Sequence, residues 1–314
     1  MARAGSRRLA IIALALACGG KTVAPPVGAR VGRAVATALD AADAVRAPWR
    51  CAAPDLPELP AATLGSWRLA GHVVSGGDAR IAVIADTAGA SPETVATLGR
   101  LRAKLDVDLV LALGGLGSTQ SELETVLGVL ATTVPVIALP GDLEAMPAQV
   151  AAIAALRAKG APVVDGRLVR RIDLASGAIA IVAGASVPQR LVAGADGCVY
   201  TAADVAAAFA DLTPRPGLRI LATAEAPRRA IDGDAVGELG LVPGAGAQID
   251  LSLHGGVDAD ATPAAKGGRD GGALALTPGS ADAGVRLVSP HAPSAGILTI
   301  RAGAWTWAPI HDGK

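Results

Sequence analysis

The chain has 314 residues, no net formal charge at pH 7, and 51% hydrophobic residues. A chain this long and apolar can bury a sizeable core, which excludes general disorder. Aromatic residues make up only 2% and no basic excess exists, so we expect no nucleic-acid partner, because stacking platforms and phosphate contacts are both scarce.

The first residues have the order of a secretory signal peptide. Arg3, Arg7 and Arg8 precede an apolar run over residues 9–17, which is shorter than the ~20 residues of a membrane span. We therefore predict a signal peptide over residues 1–17. Cleavage at an A-x-A site would release a soluble periplasmic protein, whereas a lipobox would place a diacylglyceryl group on Cys18.

Of these two alternatives we favour the lipoprotein, with Cys18 as the lipidation site. Two glycines follow the cysteine, and a Pro25–Pro26 pair comes soon after them. The segment resembles bacterial lipoprotein signals, although Ala15 stands where leucine is usual. No Asp follows Cys18, so the resemblance implies an outer-membrane protein that faces the periplasm.

Residues 18–64 are predicted to form a tether, with a short helix over 31–45 and a Pro-rich linker after it, because Pro48, Pro54, Pro57 and Pro60 interrupt regular structure. Beyond it, strands and helices alternate in the first half, and short strands dominate the end. The predicted helices are 91–105, 119–132, 147–159 and 201–212, and the predicted strands are 67–74, 79–86, 107–113, 134–139, 167–173, 178–183, 218–223, 249–253, 273–277, 285–288, 297–301 and 305–308.

The strands of the first half are apolar at nearly every position, which is typical of strands buried on both faces. We therefore predict an α/β fold with two packed mixed β-sheets flanked by helices, formed by residues 65–314. Two cysteines remain after signal cleavage, Cys51 and Cys198. They can pair in an oxidising compartment or stay as buried thiols, and the sequence leaves both open.

Polar and glycine residues follow the apolar strands where each strand ends. In open α/β sheets the carboxyl ends of strands form the binding sites, so we expect these positions to share one rim. They are Asp86, Gly114–Gly115, Asp142, Glu144, Glu225 and His254.

The ordered series of strand ends resembles that of the calcineurin-like metallophosphoesterases, whose motifs are D-x-H, G-D, G-N-H-[DE], a lone His and G-H-x-H. That resemblance implies an αββα sandwich and two metal ions held by His and carboxylate ligands, which activate a water molecule. It is carried by IAVIAD (81–86), DLVLALGGLG (108–117), PVIALPGDLE (135–144), ILATAEAP (220–227), IDLSLHGG (249–256) and the turn at 277–280.

The chain departs from that pattern where the ligands should stand. Ala88 replaces a His, Gly115 the bridging Asp, Leu143 the catalytic His and Gly256 the last His, while Asp142 replaces an Asn. None of the first four can donate an electron pair to a metal. The metal candidates that the resemblance leaves are Asp86, Asp142 and His254, with Glu144 and Glu225 as weaker ones, and no catalytic residue is assigned.

We therefore predict a cell-envelope lipoprotein that binds or scaffolds an envelope protein partner and touches the membrane through its lipid anchor alone. We expect no cofactor, or at most one weakly bound divalent cation. The alternative is an active metal-dependent phosphoesterase, acting on phosphomonoesters or diesters, with a remodelled single-metal site. A third hypothesis makes Gly114 to Gly117, before a capped helix, an anion cradle.

Overall fold

The computed structural model of the chain describes residues 48–51, 56–214, 216–225, 250–255, 269–270, 273–276 and 295–310. Its helices are α1 (Pro92–Lys104), α2 (Gln120–Leu130), α3 (Met146–Ala158) and α4 (Ala202–Leu212). Its strands are β1 (Trp49–Arg50), β2 (Leu59–Leu64), β3 (Trp67–Gly71), β4 (Val73–Ser75), β5 (Arg80–Ile84), β6 (Leu109–Leu113), β7 (Val136–Leu139), β8 (Val163–Asp165), β9 (Arg171–Leu174), β10 (Gly177–Val182), β11 (Cys198–Val199), β12 (Leu218–Thr223), β13 (Leu251–His254), β14 (Arg269–Asp270), β15 (Ala273–Leu276), β16 (Ala295–Arg301) and β17 (Ala304–Ile310).

One sheet has six strands in the order β17-β16-β5-β6-β7-β8, with β5 to β8 parallel and β16 and β17 antiparallel. Side chains alternate across it, as the pleat requires. Ile81 and Val83 of β5 belong to the core between the two sheets. Ala82 and Ile84 belong to a second core, where α1, α2 and α3 cover the outer face. Burial on both faces explains the unbroken apolar sequence of these strands.

The other sheet has nine strands in the order β14-β15-β13-β12-β10-β9-β4-β3-β2. Ile179 and Ile181 of β10 face the six-stranded sheet. Ala180 and Val182 face outward and pack with Phe209 of α4. The fold is therefore the predicted α/β fold, with two packed mixed sheets flanked by helices.

The helix starts follow the predicted capping chemistry. Ser91 accepts a hydrogen bond from the backbone N–H of Thr94 at the start of α1, and Pro92 occupies the first helical position. At the start of α2, Thr119 and Glu122 form a capping box in which each side chain bonds the other's backbone N–H. Within the described residues, no helix is long and apolar enough to cross a membrane.

The described structure begins earlier than the predicted linker allows. Leu59–Leu64 is not a linker but the edge strand β2, paired antiparallel with β3. A strand at the edge of a sheet has one unpaired side, which tolerates the missing N–H of Pro60. The single strand predicted over 67–74 is two strands, because the chain turns at Gly71, whose φ is +58°. The predicted signal peptide, Cys18, the helix over 31–45, the strand over 285–288 and the turn at 277–280 lie outside the described residues.

A disulfide fixes the start of the described chain. Cys51 and Cys198 are bonded, with their Cα atoms 5.5 Å apart, so of the two alternatives the structure has the paired one. The same contact makes β1 pair in parallel with β11. Beside it, the Arg50 guanidinium donates to both carboxylate oxygens of Asp204 on α4, at 3.1 and 2.8 Å.

Candidate functional site

The strand ends singled out in the sequence come together at one edge of the sandwich. A Cβ atom added to Gly114, after β6, would lie 2.8 Å from the Cα atom of Gly141, after β7, and 3.1 Å from the Cβ atom of Ala224, after β12. One added to Gly255, after β13, would lie 2.8 Å from the carbonyl oxygen of Leu113. Strand ends of both sheets therefore pack backbone against backbone. We call this edge the rim and define it as residues 86–88, 114–116, 141–144, 224–225 and 254–255.

Asp86 occupies the space beside Gly115. A Cβ atom at Gly115 would lie 2.5 Å from Oδ1 of Asp86 and 2.8 Å from its Cα atom. The backbone N–H of Asp86 donates to the Gly114 carbonyl at 3.0 Å, and that of Ala88 donates to the Gly115 carbonyl at 2.8 Å. Gly115 thus lacks a side chain because Asp86 and its backbone fill the position where the family resemblance expects a bridging carboxylate. Ala88 is exposed and does not plug the rim.

Glu144 joins two of the strand-end loops from inside. Its carboxylate is fully buried and accepts hydrogen bonds from the backbone N–H groups of Leu116, at 2.5 Å, and Gly141, at 2.7 Å. Burial raises the pKa of the Glu144 carboxyl above its ordinary value, and the backbone hydrogen bonds oppose that rise only in part. Each carboxylate oxygen is bonded to the N–H of a different loop, so Glu144 is a brace between the loops that follow β6 and β7.

Glu225 is held by two hydroxyl groups that sequence reasoning missed. Its Oε2 atom accepts hydrogen bonds from the hydroxyls of Tyr200 and Ser186, both at 2.7 Å. Tyr200 is buried and packs in the outer core of the nine-stranded sheet. It is the only tyrosine of the chain, which is the one sequence signal that could have drawn attention to it.

The remaining candidates, Asp142 and His254, sit in contrasting environments. The Asp142 side chain is exposed, and its backbone carbonyl accepts the N–H of Val192 at 2.9 Å. His254 is fully buried, and burial lowers its pKa to about 4, while the Gly255 carbonyl near Nδ1 opposes the shift. Its imidazole is therefore neutral at pH 7. Because Leu251 and Leu253 of the same strand face the inter-sheet core, His254 lies on the opposite face of β13.

These five residues belong to the rim, but their side chains do not form a set of metal ligands. Among the described residues, no three His, Cys, Asp or Glu side chains are grouped so that they could hold a metal ion. A binuclear centre of the kind that the resemblance implies would need donors at Ala88, Gly115 and Leu143, which have none. The residues present do not fit two metal ions.

The glycine loop before α2 is not an open anion cradle. Oε2 of Glu122 accepts the backbone N–H groups of Ser118 and Thr119, both at 3.0 Å, and Glu144 accepts that of Leu116. Burial works against ionisation of Glu122, but the hydrogen bonds from Thr119 and Ser118 hold its pKa below the ordinary value. Two of the chain's own carboxylates thus bind the N–H groups that the third hypothesis reserved for an external anion.

Comparison with known proteins assigns no family to the chain. No model of a protein family matches it, and neither does any curated protein. Among solved structures, the crystal structure of TT1561 from Thermus thermophilus is 13% identical, with a TM-score of 0.49 over 74% of this chain and 99% of that one. GAP50, the anchor in the inner membrane complex of Plasmodium, is 9% identical, with a TM-score of 0.40 over 75% of this chain and 89% of that one. Identities and scores this low leave the function to be inferred from the site itself.

Proposed function

We propose that this protein is a cell-envelope lipoprotein with a metallophosphoesterase-like fold that has lost catalysis and acts by binding or scaffolding a partner. The observation that carries the proposal is the closed rim, in which Asp86 fills the space beside Gly115. A bridging carboxylate at position 115 has no room there, because its Cβ atom would meet the backbone of Asp86 as well as its side chain. Without a bridging anion, two cations held a few ångströms apart repel one another.

The chemistry of the rim supports inactivity from a second direction. Leaving-group protonation by a positioned general acid contributes roughly 10²–10⁴ in rate. Leu143 stands where the resemblance expects that acid, and a leucine side chain has no proton to give. Glu144 braces two loops, Glu225 is bonded to Tyr200 and Ser186, and neutral His254 is fully buried.

The envelope location is supported by two independent features. The basic and apolar segment that ends at Cys18 has the order of a lipoprotein signal. The buried Cys51–Cys198 disulfide fits an oxidising compartment such as the periplasm, since cytosolic reductants keep most thiols reduced.

Metal content and phosphoesterase activity test the loss of catalysis. The full chain, purified after incubation with manganese, zinc and iron salts, should contain well under one equivalent of metal by elemental mass spectrometry. It should also hydrolyse phosphomonoester and phosphodiester substrates no faster than a sample in which Asp142 is changed to Ala. Two bound equivalents would contradict the proposal. Metal-dependent hydrolysis that Asp142→Ala abolishes would also contradict it and would favour the active single-metal alternative.

The lipid anchor is tested separately. The wild-type chain should fractionate with membranes and partition into the detergent phase of a cloud-point extraction, and Cys18→Ser should move it to the soluble periplasmic fraction. If the wild-type chain is already soluble and begins before Cys18 after processing, the ordinary signal-cleavage alternative is right. Neither result depends on the outcome of the metal measurement.

A further inference from the structure

A small cavity lies between one face of α4 and residues 166–170, which connect β8 to β9. It has a volume of about 30 Å³ and is partly open to solvent. Since about 10–15 Å³ is enough for one water molecule, the cavity has room for the end group of a small ligand. None of the described residues that line it belongs to the rim. We call it the α4 cavity.

His72 lines the α4 cavity with its ring held in one orientation. Its Nδ1 atom lies 2.9 Å from the Leu168 carbonyl oxygen. A carbonyl oxygen can only accept, so Nδ1 carries the proton and Nε2 of the neutral ring has the lone pair. The His72 carbonyl in turn accepts the backbone N–H of Arg170 at 2.8 Å, which fixes the neighbouring chain. No hydrogen bond between described residues uses Nε2, so this atom is available to a ligand that donates.

Arg167 lines the same cavity and keeps one nitrogen without a hydrogen bond. Its side chain is only 8% exposed and forms an ion pair with Asp165. Nε of Arg167 donates to both carboxylate oxygens of Asp165, at 3.0 and 3.1 Å, and Nη2 donates to one of them at 2.5 Å. Nη1 takes part in none of the hydrogen bonds that the described part of the chain forms. The two N–H groups of Nη1 are therefore available to a ligand that accepts.

The charged groups around the α4 cavity balance one another. Among the described lining residues, every acidic or basic side chain other than His72 belongs to an ion pair. Three cations thus face three anions, which favours a ligand group without net charge. The pairs are Arg167 with Asp165, Arg50 with Asp204, and Arg170 with Asp211.

The remaining wall of the cavity is apolar, and Val169, Ile181 and Ala183 line it as buried residues. We propose that the α4 cavity binds the acetamido group of a small neutral molecule. The methyl group packs on the apolar wall. The carbonyl oxygen accepts from Nη1 of Arg167, and the amide N–H donates to Nε2 of His72.

The two free groups select an amide over a carboxylate or an amine. A carboxylate has only acceptors and leaves Nε2 of His72 without a donor, whereas an ammonium group has only donors and leaves Nη1 of Arg167 without an acceptor. Either ion also brings an unbalanced charge to a site where the Arg167 side chain is almost fully buried. An amide supplies one donor and one acceptor and no charge.

The open side of the cavity carries the Arg170–Asp211 pair. The two side chains are 45% and 31% exposed, and their closest atoms are 3.6 Å apart, which is too long for a hydrogen bond. They therefore keep donors and acceptors for the rest of the molecule. An N-acetylated amino sugar and an N-acetylated amino acid amide both supply the acetamido group and polar groups beyond it.

Saturation-transfer-difference NMR on the purified full chain, detected on the methyl signal of acetamide, tests the proposal. Acetamide should bind with millimolar affinity. Acetate, which has the same number of heavy atoms and a negative charge, should bind severalfold more weakly. N-Acetylglucosamine and N-acetylglycinamide should both bind more tightly than acetamide, and the tighter of the two identifies the source of the acetamido group.

Two neighbouring alanines of α4 provide matched variants. Ala206 and Ala207 are both exposed, but only Ala207 lines the cavity. Ala207→Leu should therefore narrow the cavity and abolish saturation transfer to acetamide, whereas Ala206→Leu should leave it unchanged. In His72→Asn, the side-chain amide can still donate to the Leu168 carbonyl, but no atom replaces Nε2. This variant should bind acetamide about 2–12-fold more weakly, the net worth of one hydrogen bond.

A second matched pair tests the arginine. Arg167→Lys keeps a cation beside Asp165 but has no atom in place of Nη1, so it should weaken acetamide binding at least as much as His72→Asn. Arg80→Lys makes the same change at an arginine that pairs with Asp106 away from the cavity, and it should leave binding unchanged.

Three results would overturn the proposal. These are no saturation transfer to any of the acetamido compounds, equal transfer in Ala207→Leu and Ala206→Leu, and acetate binding more tightly than acetamide. The last result would make the cavity an anion site. The measurement is independent of bound metal and of Cys18, so this inference and the proposed function fail separately.

Discussion

Replacing Gly115 with Ala tests whether the rim is as closely packed as described. Gly115 has a φ of +68°, a conformation that costs a residue with a Cβ atom roughly 1–2 kcal/mol. The new Cβ atom would also lie 2.5 Å from Oδ1 and 2.8 Å from the Cα atom of Asp86. A carboxylate can rotate away but a backbone cannot, so overpacking should add roughly 1–3 kcal/mol. We therefore expect Gly115→Ala to lower the free energy of unfolding by about 2–5 kcal/mol.

The matched control is Gly160→Ala, at the end of α3. Gly160 has a φ of +82°, and nothing lies within 4 Å of where its Cβ atom would be. This variant should show the conformational cost alone. Urea unfolding, followed by circular dichroism, measures both. Equal losses for the two variants would refute the contact between Asp86 and Gly115, and with it the closed rim.

Three further predictions concern stability. Burial raises the folded-state pKa of Glu144, so the folded protein binds this proton more tightly than the unfolded chain does. The free energy of unfolding should therefore fall as the pH rises above 4.5. In urea titrations at a series of pH values, Glu144→Gln should make this fall shallower. The Cys51→Ala, Cys198→Ala double variant removes a disulfide between residues 147 positions apart, so its free energy of unfolding should be about 2–5 kcal/mol lower than that of the wild type. The reduced wild type should lose a similar amount, and an unchanged urea midpoint would show that the bond is absent. The Ser176 hydroxyl donates to Asp78 and holds its pKa below the ordinary 3.8. The stability that Asp78 contributes is therefore present above pH 3.8 and is lost as the pH falls through the lower folded-state pKa. The stability of Asp78→Asn should depend less on acid pH, and an acid transition identical to that of the wild type would contradict this.

Local patterns made most of the sandwich predictable. The unbroken apolar strands around Val110 and Ile137 indicated burial on both faces, and each is covered by the second sheet on one side and by helices on the other. The capping-box pattern, a Thr at 119 and a Glu three residues later, predicted the start of α2. Convergence of the strand ends at the rim followed from a general property of parallel strands, which place their carboxyl ends at a common edge.

Contacts between distant residues could not be predicted in this way. Nothing near Glu144 indicates that it braces Leu116, and nothing near Glu225 indicates Tyr200 or Ser186 as its donors, because each contact depends on tertiary packing. Pro60 suggested a linker, since the sequence does not distinguish an edge strand, where a missing N–H is harmless, from an irregular segment. The glycine loop had the composition of an anion cradle, but Glu144 accepts the N–H of Leu116, and Glu122 accepts those of Ser118 and Thr119.

Anomalous scattering from a crystal soaked in manganese tests the absence of the binuclear centre most directly. The wild-type chain should show no anomalous peak among Asp86, Gly115 and Asp142. Asp86 fills the space beside Gly115, and Asp142 belongs to no group of three metal-binding side chains among the residues that the structure describes. Two neighbouring peaks there, about 3.5–4 Å apart as in two-metal hydrolases, would contradict the proposal that this rim has lost its metals.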